Sequence, residues 1–133
     1  MAYFTSKKRI LIIEDEGEIV EIYLDIIKHY FSESISNVEV ATDGKKGCEL
    51  MTQNKYDLII TDIKMPELSG TEVLELAHLL GPNQDTPVIM ISAYLSLTNG
   101  KSAHSSYKEC IFVEKPFDEK KLVRLLKMHL KLP

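Results

Sequence analysis

Arg9-Ile10-Leu11-Ile12-Ile13-Glu14-Asp15 is the stretch on which the fold turns. Four apolar residues, three of them isoleucine, stand between a cation and two carboxylates. A run this short and this apolar reads as a strand covered on both faces, Arg9 to Glu14. The period then changes. Val20, Tyr23, Leu24, Ile27, Tyr30 and Phe31 recur at helical spacing, while Glu18, Glu21, Asp25 and Lys28 lie mostly off that stripe. This predicts an amphipathic helix from Glu16 to Phe31. A buried strand followed at once by an amphipathic helix opens an alternating α/β chain.

The alternation continues to the end of the chain. Val38 to Ala41 is the second expected strand, and Lys45 to Gln53 a helix carrying Gly47 in its interior. That glycine costs about 1 kcal/mol against alanine in an isolated helix. Asp57 to Thr61 reads as a third buried strand, ending at Asp62. Ser69-Gly70-Thr71-Glu72 is a capping box opening a helix to about Leu80, which Gly81-Pro82 stops. Pro87 to Ile91 is the fourth strand. A fourth helix is expected near Tyr94 to Ser105, short or mobile because serine, threonine, asparagine and glycine crowd it. Cys110 to Glu114 is the fifth strand. Asp118 caps a last helix, Glu119 to Leu130, expected to bury Leu122, Leu125 and Leu126 together with either His129 or Leu130. The expectation is α/β, a doubly wound parallel sheet with helices on both faces and strand order 2-1-3-4-5.

Composition narrows the class without naming a function. The 133 residues fit one domain, expected to span 1–133 with its core at about 8–131. Lys plus Arg is 16 and Asp plus Glu is 20, a net charge of −4, which disfavours direct nucleic-acid binding. The longest apolar runs are four residues, so no membrane insertion is expected. The N-terminus lacks the apolar core of a secretory signal, and Cys48 and Cys110 have no metal-ligand spacing. A cytoplasmic, reduced protein follows as the expectation.

Position along the strands carries the chemistry. Glu14 and Asp15 fall at the carboxyl end of strand 1, Asp62 at that of strand 3, Ser92 after strand 4 and Lys115 after strand 5. In a parallel sheet those ends share one edge. Three crowded carboxylates repel unless a cation neutralises them, and one lysine is not enough. An all-oxygen donor set without histidine or cysteine suits Mg²⁺ rather than Zn²⁺. The plain alternative is that Glu14 and Asp15 merely cap the first helix. A carboxylate is a competent nucleophile toward phosphorus, and Asp62, on the central strand, is best placed for it.

At these residues the chain resembles the receiver domain of two-component response regulators, including single-domain chemotaxis and sporulation types. Ile12-Ile13-Glu14-Asp15-Glu16 carries the resemblance, with Asp57-Leu58-Ile59-Ile60-Thr61-Asp62-Ile63-Lys64-Met65-Pro66 running on to Gly70. Ile91-Ser92-Ala93 and Glu114-Lys115-Pro116-Phe117 complete it. The resemblance implies a flavodoxin-like (βα)5 three-layer sandwich. It implies that Asp62 accepts a phosphoryl group from a sensor histidine kinase or a histidine phosphotransfer protein. It makes Asp15 and Asp62 direct Mg²⁺ ligands, Glu14 a ligand mainly through water, and the Lys64 backbone carbonyl the third protein ligand. Lys115 would contact the phosphoryl group. Ser92 and Phe112 would form the switch, and Lys115-Pro116 would be cis. The output surface would comprise the segment 94–105, the fifth strand and the last helix, acting on a downstream protein.

Other features are weaker. From Lys115 onward six bases stand against two acids, a stripe that suits either solvent or an acidic partner. Helix 1 is acidic on its exposed face, which in the family contacts the phosphodonor. His29, His78, His104 and His129 are scattered and read as surface or boundary residues; Met51, Met65, Met90 and Met128 read as packing. Two other functions compete. One is a receiver-fold interaction module without phosphorylation. The other is an Asp-dependent phosphatase, which needs a second aspartate two residues after the nucleophile, where this chain has Lys64. No enzymatic turnover is expected beyond the chain's own phosphorylation and autodephosphorylation.

Overall fold

The computed structural model describes residues 7–62, 70–79, 81–92, 110–115 and 118–132. Five parallel strands form one sheet: β1 (Lys8–Ile13), β2 (Ile35–Ala41), β3 (Leu58–Asp62), β4 (Val88–Ser92) and β5 (Cys110–Glu114). Their order is β2-β1-β3-β4-β5, the order expected. The described helices are α1 (Gly17–Phe31), α2 (Gly44–Gln53), α3 (Gly70–Leu79) and the C-terminal α4 (Glu119–Leu130). The segment expected to form a helix at 94–105, and the Lys115-Pro116 bond, lie outside the described residues.

Both faces of the sheet are covered, so neighbouring residues of one strand enter different cores. Ile10, Ile12, Ile60, Ile89 and Ile91 pack beneath α1 and α4, with Tyr23, Ile27, Leu122 and Leu126 above them. Leu11, Ile13, Ile59, Val88 and Met90 pack beneath α2 and α3, with Met51, Val73 and Ala77 above them. Among the described residues, no helix is long and apolar enough to cross a membrane.

Three sequence expectations are corrected. β2 begins at Ile35, three residues before Val38, because Ile35 pairs with Lys8 beyond a register shift between Lys8 and Arg9. Tyr30 is not in the buried stripe of α1; it is 46% exposed and its hydroxyl donates to Glu119 across the seam with α4. Ile26 is buried instead. On α4 the buried positions are Leu122, Leu126 and Leu130, at i, i+4 and i+8. Leu125 is half-buried, and Met128, off that row, is 65% exposed.

Candidate functional site

The carboxyl edge of the sheet gathers the predicted charges. Backbone pairing carries on past β1, since the Glu14 N–H donates to the Ala41 carbonyl at 2.9 Å. This fixes Glu14 beside the end of β3, because Ile13 pairs with Thr61 and the next residues are Glu14 and Asp62. Both carboxylates are buried, Glu14 at 2% exposure and Asp62 at 8%, whereas Asp15 and Glu16 are exposed. One oxygen each from Glu14, Asp15, Glu16 and Asp62 can be chosen so that all four lie within 4.8 Å of one another.

Lys115 follows β5 and reaches back over this group. Its Nζ lies 3.3 Å from Asp62 Oδ2 and 3.9 Å from Glu14 Oε1. One ammonium thus serves two buried carboxylates. Burial, and then the Asp62 charge, push the Glu14 carboxyl up to about 7; the Glu16 N–H and Lys115 pull the other way. Tyr23 of α1 is buried near the same charges. Its hydroxyl is held well above the usual tyrosine range, first by burial and then by Glu14, Asp62 and Glu16.

Helix capping does not account for these acids. The N-cap of α1 is Glu16, which makes no side-chain cap bond. Glu14 Oε2 accepts only the Glu16 N–H, at 3.3 Å, among the hydrogen bonds of the described residues. A buried, crowded, all-oxygen group with a raised carboxyl is chemically suited to a hard divalent cation.

Ser92 ends β4 in register with Glu114, one step beyond Ile91, which pairs with Asp62. Phe112 lies opposite Met90 on β5 and packs, half-buried, against the core beneath α2 and α3. Lys64 lies outside the described residues. Glu16, which the helical periodicity places at the start of the first helix, belongs to the acidic group as well. The signal was present in the unbroken run Glu14-Asp15-Glu16.

A parallel sheet of this order, with acids and a lysine at its carboxyl edge, has its candidate ligand site where the strands end. The family model for the response regulator receiver domain matches residues 10–127, and the chain belongs to that family. It is 33% identical over 123 residues to the response regulator ArlR of Staphylococcus saprophyticus, a match covering 92% of this chain. The chain spans about half of that relative, 52% of its length. A CheY-like response regulator receiver domain protein from Methanospirillum hungatei superposes with a TM-score of 0.79 at 29% identity, covering 95% of each chain. The receiver domain of the Pseudomonas aeruginosa sensor histidine kinase PA1611 superposes with a TM-score of 0.78 at 20% identity. That match covers 95% of this chain and 99% of that one, and it shows the shared fold. The PA1611 structure holds a magnesium ion in its active site cleft.

Proposed function

We propose that this chain is a cytoplasmic phosphoacceptor, one receiver domain over 1–133, that takes a phosphoryl group onto Asp62. The observation that carries this reading is the convergence of buried Glu14 and Asp62 on the Lys115 ammonium at the carboxyl edge, within the span matched by the family. The donor is a phosphohistidine on a sensor histidine kinase or a phosphotransfer protein. An Asp62 carboxylate oxygen bonds to phosphorus while the phosphorus–nitrogen bond breaks, and the electron pair stays on the imidazole. Lys115 offsets the charge that gathers on the phosphoryl oxygens. Asp15, Asp62 and the Lys64 carbonyl would hold Mg²⁺ directly, with Glu14 acting mainly through water. When bound, Mg²⁺ supplies the positive charge that lets the carboxylates and the phosphoryl group share one site.

The output follows from the same charges. The new dianion draws Ser92 and Lys115 toward Asp62, and Phe112 turns inward behind them. The surface of 94–105, β5 and α4 then changes and acts on a downstream protein. The chain turns over no substrate other than its own phosphoryl group.

Acetyl phosphate with Mg²⁺ tests the reading. Intact mass spectrometry should show one added phosphoryl group on the wild type and none on Asp62→Asn. Beryllofluoride with Mg²⁺ should shift the amide spectrum of the wild type alone. Absence of any Mg²⁺-dependent change at Asp62 overturns the proposal and leaves an interaction module.

A further inference from the structure

The amino edge of the sheet holds a cavity of about 200 Å³, at the far end of the strands from Asp62. Three separate parts of the chain bring basic side chains to it. Lys8 comes from β1, Lys55 from the segment before β3, and His129 and Lys131 from the end of α4. Against the three lysines the lining sets two acids, Asp57 and Asp85. Asp57 Oδ2 already accepts the Arg9 N–H at 2.8 Å, and Asp85 is exposed. None of the three lysines forms an ion pair among the described residues. Lys55 Nζ instead donates to the Thr86 hydroxyl at 3.2 Å.

Two further observations mark the cavity. His129 Nε2 is buried with no hydrogen-bond partner among the described residues. A nitrogen left so is costly unless something binds it. Lys131 has a left-handed backbone, φ +56°, which no other non-glycine among the described residues adopts. Helix ends of this kind usually carry glycine, because a Cβ is strained there. The carboxyl end of α4 attracts His129 and Lys131 as partners of its dipole, but it does not account for Lys8 and Lys55.

These groups select an oxyanion. A planar carboxylate presents two oxygens on one side. A tetrahedral phosphate presents oxygens in four directions and can meet all three parts of the lining at once, with each lysine acting as a point charge. The cavity is smaller than the roughly 300–1,000 Å³ of drug-sized sites, so the ligand is small. We propose that the amino-edge cavity binds a small phosphate-class anion on Lys8, Lys55, Lys131 and the His129 Nε2–H. The anion is either free phosphate or the phosphate of a small ester. Its binding ties β1, the entry to β3 and the end of α4 together, and so stabilises the fold.

Titration of the full chain with inorganic phosphate, and separately with glycerol phosphate, tests this. Amide chemical shifts are followed without Mg²⁺, with sodium chloride at matched ionic strength as the control. Saturable shifts are expected at Lys8, Lys55 and Lys131 and not around Asp62. Tighter binding of the ester identifies a phosphorylated small molecule; tighter binding of the inorganic ion identifies free phosphate; either upholds the site. Lys8→Gln and Lys55→Gln should each weaken binding by about fivefold or more, the effect of one charge about 4 Å away in water. Lys131→Gly should melt no lower than the wild type without phosphate, yet bind it about fivefold or more weaker. His129→Gln, which keeps an N–H donor, should retain most of the affinity that His129→Leu loses. Shifts that chloride reproduces, shifts that do not saturate or that fall around Asp62, or lysine variants that bind phosphate as the wild type does each overturn the proposal.

Discussion

The Glu14 carboxylate is 2% exposed, faces the Asp62 carboxylate, and shares Lys115 with it. Folding carries this group from water to a place where its charge is opposed, so the native state prefers the proton. Its pKa rises from 4.5 to about 7, and the associated stability is present below pH 4.5 and lost as pH climbs toward 7. Glu14→Gln removes the charge and keeps an oxygen for the Glu16 N–H. At neutral pH, without metal, this variant should be more stable than the wild type by about 1–3 kcal/mol, read from urea unfolding. The difference should vanish near pH 4 and narrow at neutral pH when Mg²⁺ is added. A Gln variant less stable at every pH would mean that the wild-type charge is already compensated.

At the scale of elements, α2 shows how tightly a helix is seated on the sheet. A Cβ added to Gly47 would lie 2.5 Å from Ile13 Cδ1, 2.9 Å from Cγ1 and 3.2 Å from Cγ2. Ile13 is fully buried, so any movement of its side chain must displace other core atoms. Gly47→Ala gains up to about 1 kcal/mol of helix propensity but overpacks by roughly 1–3 kcal/mol. A net loss of about 1–2 kcal/mol is expected in thermal or urea unfolding. Ile13→Val deletes the nearest atom, so the double variant should lose less than the two singles combined. Equal additivity would show that α2 shifts instead. Propensity alone registered this glycine as a weak point of a helix. Its reason lies in a contact between elements far apart in sequence, which local patterning does not contain. The alternating parallel architecture and both covered faces were legible because the apolar runs are short and each is followed by helical periodicity. Glu14, Asp62 and Lys115 were legible as a group because strand ends in a parallel sheet share an edge. The seam contact of Tyr30 was not, since its partner Glu119 is 89 residues away.

Across the whole molecule, opposite edges of the sheet carry different duties. The carboxyl edge holds the buried carboxylates of Glu14 and Asp62, like charges that cost stability. The amino edge is closed by neutral hydrogen bonds around Asn83, which is fully buried. Its Nδ2 donates to the Met51 and Asn54 carbonyls at 2.7 Å, and its Oδ1 accepts from the Tyr56 N–H at 2.8 Å and the Thr86 hydroxyl at 3.0 Å. One side chain thereby joins the end of α2, the entry to β3 and the approach to β4. Asn83→Ala leaves a buried N–H and two carbonyls without these partners, at about 1–3 kcal/mol each, out of a total stability of about 5–15 kcal/mol. The variant should lose about 3–5 kcal/mol in urea unfolding. Well below its melting temperature it should nonetheless bind beryllofluoride with Mg²⁺ as the wild type does, because the network lies at the other end of the strands. Asp62→Asn should behave in the reverse way, folding at least as stably as the metal-free wild type while losing the beryllofluoride response. Should Asn83→Ala weaken that response in proportion to its loss of stability, the two edges are coupled through the sheet, and the division of duties between them fails.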